Sequence, residues 1–437
     1  MSLFSIWPAF GFSANPYSQD TLGADETGDQ LLVGRDGESY ELQRLIGTEG
    51  SFPTLEGPIG VGKSSLLEVT AYRMRKACLA AKQGELYIPA VARFQPASDL
   101  DALEAEIYRV IAQTLIRYAS DFEDAGLFRP NVTELNKWLN ASKYSSWQGG
   151  GGAFGFEASS GGGEEGNTGE GYTKSGFPTA IRNLLTSAFG EQRGGIVCIL
   201  DNLELVETVG AARTTLDRLR DRVFNLPNVR WVLTGSRGIV SRARTERLSG
   251  IFQAPMRLKP LEDASTVEAI QRRITVFGSD ASHPPVTPNG FTFLYAALNS
   301  NLREALSTSQ EFAQWVHQEY VVKGAAIPDS SELDQLLEVW LFERANSAYE
   351  DASRVQPRNW RFFSDLCDAG GRANASDWLS FDFTTQQQYG SAVTQLADAN
   401  LVVRETDPED ATRKVYVVTA LGRLVYFFRS RFQQVPS

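Results

Sequence analysis

The stretch Gly57-Pro58-Ile59-Gly60-Val61-Gly62-Lys63-Ser64 restricts what this chain can become more than any other. Its spaced glycines let the backbone curl so that successive N–H groups point inward, and a lysine and a hydroxyl follow at once. Such a loop works between a buried strand and the first turn of a helix, where the helix dipole adds to the inward amides. The flanks agree: 52–55 reads as a strand and 64–82 as a helix. A loop of this form cradles a triphosphate. Lys63 is expected to bridge the β- and γ-phosphates and the Ser64 hydroxyl to ligate Mg²⁺. ATP and Mg²⁺ are therefore the expected ligands, with Gly57, Pro58, Gly60, Val61, Gly62, Lys63, Ser64 and Ser65 as the binding loop.

Downstream, 88–94, 196–200 and 230–234 read as further strands, the last two as apolar runs suited to burial on both faces. Helical stretches at 64–82, 99–118, 178–189 and 211–224 separate them. This alternation predicts an α/β fold, a parallel P-loop NTPase sheet with helices on both faces. The run Gly195-Ile196-Val197-Cys198-Ile199-Leu200-Asp201 ends in a carboxylate, the Walker B arrangement. Its strand is expected beside the phosphate-loop strand, where Asp201 holds Mg²⁺ through a water. Asn202 follows instead of an acid, so Glu204 is the candidate catalytic base; the competing reading is a solvated residue at a helix start. Arg230-Trp231-Val232-Leu233-Thr234-Gly235-Ser236-Arg237 ends at the same sheet edge. Thr234 or Ser236 is expected to touch the γ-phosphate or its water, and Arg237 to sense its charge. Arg242, Arg244 and Arg247 offer an arginine finger acting on a neighbouring subunit, or simply a basic solvated helix.

Composition excludes several classes. A net charge of −11 opposes non-specific nucleic-acid binding. No stretch of about twenty apolar residues suggests a membrane span, and the short apolar start lacks a basic lead. Cys78, Cys198 and Cys367 have neither metal-ligand nor disulfide-framework spacing, so a cytoplasmic location is expected.

Four segments are expected: a lead at 1–50, an ATPase core at 51–250, a helical lid without a sheet at 251–325, and a C-terminal unit at 326–437. The Gly-, Ser- and Glu-rich insertion at 149–176 is read as a flexible surface segment; a hairpin arm at 153–156, covered by a partner, is the alternative. The C-terminal unit shows helices at 359–369 and 384–400, two β-runs around an acidic turn, and a last helix from about 420, a winged-helix pattern. The second helix carries Gln386, Gln387 and Gln388 but no Lys or Arg, which favours a protein partner over DNA.

With Val33-Gly34-Arg35, the phosphate loop, Asp201, the Thr234-to-Arg237 strand end, a lid and a winged helix in this order, the chain resembles STAND-class signalling ATPases and their AAA+ relatives of the origin-recognition type. The resemblance covers about residues 15–325. It implies that the segment around Arg35 lines the adenine pocket and that Arg303 reaches the nucleotide from a lid helix. It also implies a nucleotide-gated switch in conflict or stress signalling, assembling with itself or a partner protein. An ATP-dependent DNA-loading protein is the alternative. The Asp-Glu pair of the initiator group is Asp201-Asn202 here, whereas an acid three positions after the Asp is closer to the STAND side.

Overall fold

The structure, a computed structural model, describes residues 4–432 apart from 49, 51, 59, 98, 141–142, 146–163, 167–175, 191–193, 204–208, 236–245, 353 and 408–409. After a 3-10 turn, the lead forms α1 (Glu26–Leu31) and α2 (Asp36–Gly47). The core runs β1 (Thr54–Glu56), α3 (Lys63–Ala81), β2 (Leu86–Pro89), α4 (Leu100–Arg117), α5 (Ala119–Asp124) and α6 (Thr133–Asn140). A small antiparallel hairpin pairs β3 (Lys143–Ser145) with β4 (Glu164–Gly166), which falls inside the 149–176 insertion; residues 153–156 lie outside the described residues. Then come α7 (Phe177–Phe189), β5 (Gly194–Leu200), α8 (Val209–Leu219), β6 (Val229–Gly235), α9 (Glu246–Ser249) and β7 (Met256–Arg257).

The five core strands form one parallel sheet in the order β2-β5-β6-β1-β7. Two expectations change here. β6 stands between the Asp201 strand and β1, so Asp201 lies two strands from the phosphate-loop strand rather than beside it. The stretch expected to lack a sheet supplies β7, which pairs with β1 at Leu55↔Met256. Side chains alternate across the sheet. Ile196, Cys198, Leu200, Trp231 and Leu233 enter a core with α4 and α7, while Leu55, Val197, Ile199 and Val232 enter another with α2 and α3. Burial on both faces is why β5 and β6 read as unbroken apolar runs.

The strand expected at 88–94 stops at Pro89. Ala90 N–H still donates to Val197, the next residues bulge outward, and Phe94 rejoins β5 by donating to Ile199 O at 2.9 Å. The strand expected at 52–55 is shifted to Thr54–Glu56, with Phe52 making an isolated bridge to Phe252.

The segment expected to form the lid comprises α10 (Asp263–Phe277), α11 (Pro288–Ala297) and α12 (Leu302–Val316). The C-terminal unit opens with a helix that sequence reading missed, α13 (Ser330–Asp351), begun by an Asp329–Glu332 capping box. It continues through α14 (Pro357–Asp368), β8 (Arg372–Asn374), α15 (Gln386–Asp398), β9 (Val402–Asp407), β10 (Asp410–Val418) and α16 (Ala420–Phe432). Its three strands form an antiparallel sheet, β8-β10-β9, flanked by helices. One apolar cluster holds Trp7, Phe10, Phe12 and Tyr17 of the lead against lid residues such as Phe291 and Phe312, and continues through Leu337 to Phe362, Tyr389 and Phe428. Tyr17 is fully buried; its hydroxyl donates to Val286 O at 2.6 Å, and this burial pushes its pKa well above the usual phenol range.

Candidate active site

Gly62 caps α3 with φ +94 and supplies no side chain to the first turn, so the leading N–H groups are left for an anion. Lys63 is 6% exposed, and its Nζ donates to the carbonyls of Gly57 and Pro58, each at 3.1 Å. Its ammonium is thus folded over the mouth of its own loop. Gly60 has φ +81, and a Cβ there would lie 2.5 Å from Asn301 Oδ1 and 3.0 Å from Arg303 Cβ. A glycine is required because the start of lid helix α12 presses on the loop.

The β5 turn brings Asp201, 1% exposed, to the same place. The Ser64 hydroxyl donates to Asp201 Oδ2 at 2.6 Å, although 137 residues separate the two. Arg93 Nη1 donates to the same oxygen at 3.0 Å. Asp201 Oδ1 accepts from the Asn202 N–H at 3.0 Å and from the Thr234 hydroxyl. Thr234 is fully buried, and its hydroxyl is the one that donates to Asp201. One turn beyond Ser64, Glu68 lies 3.4 Å from Arg93 Nε. Burial raises the Glu68 pKa to about 7, opposed by Arg93 and reinforced by Asp201.

An open cleft of about 620 Å³, including its mouth, lies in front of the loop. The loop contributes Gly60, Gly62, Lys63, Ser64 and Ser65, the sheet edge Asn202, and the lid Leu302, Arg303 and Leu306. Gln19, Asp20 and Thr21 of the lead form the opposite wall, tied to the core by Leu22 N–H donating to Ser65 Oγ at 3.1 Å.

Arg303 therefore lines the cleft. Arg35 does not line this cleft, but its Nη2 donates to Val61 O of the phosphate loop at 3.4 Å. It is 5% exposed, pairs with Glu38 at 2.9 Å and donates to Lys259 O at 2.7 Å, joining the lead to the approach to the lid. Glu204, Ser236, Arg237, Arg242 and Arg244 lie outside the described residues, as does the side chain of Arg247. Sequence reading missed Arg273, which sits on α10, lines the cleft and donates to Pro16 O at 3.3 Å and Ser18 O at 2.9 Å. Burial lowers its pKa to about 10, with Asp20 pulling the other way. It missed Arg93 and Glu68 as well. No advance sign points to them, because the strand expected at 88–94, which includes Arg93, in fact stops at Pro89.

Among the described residues no three His, Cys, Asp or Glu side chains cluster as a metal site. The protein thus offers Mg²⁺ a hydroxyl at Ser64 and a carboxylate at Asp201, leaving phosphate oxygens and water to complete the shell. That is how Mg²⁺ is commonly held beside a nucleotide, and the donor set fits.

The sheet order, the uncapped glycine-rich loop and the Ser64–Asp201 contact define a P-loop NTPase fold. No protein-family model and no curated protein matches the chain. Among solved structures it is similar to the Aeropyrum pernix ORC2 protein in its ADPNP-ADP complexes, at 13% identity over 97% of this chain and 99% of that one, TM-score 0.47. It is also similar to Aeropyrum pernix ORC1 in complex with DNA, at 13% identity over 92% and 94%, TM-score 0.43. A third is Cdc6p from Pyrobaculum aerophilum, at 12% identity over 97% and 99%, TM-score 0.39. At these scores the likeness carries no argument about activity; the geometry above does.

Proposed function

We propose that this chain binds ATP·Mg²⁺ in the cleft between the phosphate loop and the lid, hydrolyses it slowly, and acts as a nucleotide-gated switch of the AAA+ type. The observation that carries this is the Ser64–Asp201 contact at 2.6 Å beside Lys63, a metal-side pair assembled by two distant parts of the sequence. In this reading 51–250 is the ATPase core, 251–325 the lid and 326–437 a winged-helix interaction unit. Mg²⁺, when bound, neutralises charge on the β- and γ-phosphates. Lys63 exchanges its two loop carbonyls for phosphate oxygens, the α3 amides hold the anion, and Arg303 reports from the lid whether the cleft is filled. Differential affinity of ATP for the open and closed lid then shifts the balance between them.

A protein partner is favoured over DNA for the C-terminal unit. Helix α15 exposes Gln386, Gln387 and Gln388, yet carries no cation, and Arg404 on the adjoining strand spends a guanidinium N–H on Thr394. A gel shift at low salt, with and without ATP, separates the two, because phosphate contacts are strongly salt-dependent. The central test is Lys63→Ala. It is expected to abolish binding of a fluorescent ATP analogue and phosphate release; unchanged affinity and turnover would end the proposal.

A further inference from the structure

Asp201 is a buried carboxylate whose negative charge is balanced by a residue outside the phosphate-loop machinery. The outward bulge after Pro89 and the return of Phe94 to the sheet, fixed by Asp201 N–H donating to Phe94 O at 2.8 Å, set Arg93 beside it. Arg93 then makes two contacts: Nη1 with Asp201 Oδ2 at 3.0 Å, and Nε with Glu68 Oε1 at 3.4 Å. Asp201 is 1% exposed, the Glu68 side chain 13% and the Arg93 side chain 33%, so the arginine is the member with room to move.

The oxygen that Arg93 occupies is also the one that faces Ser64. A divalent cation brought to the Ser64 hydroxyl by a triphosphate approaches that same oxygen through its hydration shell. A guanidinium and a divalent cation on one carboxylate oxygen repel strongly where water is sparse. Without either, Asp201 would keep its hydrogen bonds from Ser64, Asn202 and Thr234 but would be a buried charge with no cation among these contacts, which is costly. Glu68 gives the displaced guanidinium a second seat within reach, on the very helix that carries Ser64.

We propose that Arg93 is a positioning residue that holds Asp201 in place while no metal is bound and withdraws toward Glu68 when a nucleotide delivers Mg²⁺. This rests on the ATP·Mg²⁺ reading and adds an exchange of cations built into the site. Nucleotide arrival would then be transmitted to the segment between β2 and α4, which Arg93 anchors.

The test is a Mg²⁺ titration of fluorescent ATP-analogue binding to the full chain, run against the same binding in EDTA. Arg93→Met removes the competitor, so the Mg²⁺ midpoint is expected to fall on the order of tenfold. Without nucleotide or metal the variant should melt earlier than wild type and regain more of the difference on adding Mg²⁺. Glu68→Gln removes the second seat, so its midpoint should rise. Arg93→Lys keeps the charge and should stay near wild type, which guards against a variant that merely folds badly. Midpoints that stay put or move together in Arg93→Met and Glu68→Gln, in a wild type that binds nucleotide, would overturn the exchange and leave the ATP reading standing. A wild type with no Mg²⁺-dependent nucleotide binding would overturn both.

Discussion

Glu68 carries a proton at pH values where an ordinary glutamate has lost it, since burial lifts its pKa from 4.5 to about 7. Between those values the folded chain binds more protons than the unfolded one, so stability falls as pH rises through this window and levels off above it. The loss reaches roughly 3 kcal/mol at most. Arg93 opposes the rise and Asp201 adds to it. Wild type should therefore lose thermal stability between pH 5 and pH 7.5, and Glu68→Gln should flatten that part of the profile; an equally steep decline in the variant would refute it. At this scale the sequence spelled out Lys63, Ser64 and Asp201, because local spacing defines a phosphate loop and an acidic strand end. It did not spell out Arg93, Glu68 or Arg273. Arg93 depends on a bulge, and Arg273 on a lid helix meeting carbonyls at Pro16 and Ser18, more than 250 residues earlier.

Among elements, the phosphate loop and the start of α12 approach one another closely at Gly60. Gly60→Ala would press a methyl against Asn301 and Arg303 and force a φ of +81 on a residue with a Cβ. The lid would be pushed off the loop. Weaker ATP-analogue binding, by roughly tenfold or more, is expected with the sheet's stability little changed; wild-type affinity would show that the lid start yields freely. The core helices and both long strands were readable because their periods are regular and their apolar runs long. β7 was not, since two residues make no pattern and only β1 gives them a partner. Strand order also escaped the sequence: nothing in the run ending at Asp201 says that β6 intervenes.

Across the whole molecule, the lead, lid and C-terminal unit share one apolar cluster, whereas the sheet keeps two of its own. The expected four-way division follows chain order; packing follows burial, and sends residues 7–17 to the lid while α2 joins the sheet. Tyr17→Ala would open a cavity and strand the Val286 groups it satisfies, at a cost of roughly 3–5 kcal/mol. Hydrogen exchange should show lost protection in α11, with β5 and β6 unaffected; a loss spread evenly over both would contradict separate packing units.

Tyr17 and its partner at Val286 lie 269 residues apart in the chain. At ribosomal speeds of about 5–20 residues per second, the first aromatic side chains emerge roughly 10–50 s before the helices that cover them. During synthesis the sheet can close while Trp7, Phe10, Phe12 and Tyr17 are still waiting in water, an adhesive strip that a nascent-chain chaperone would find before the lid does.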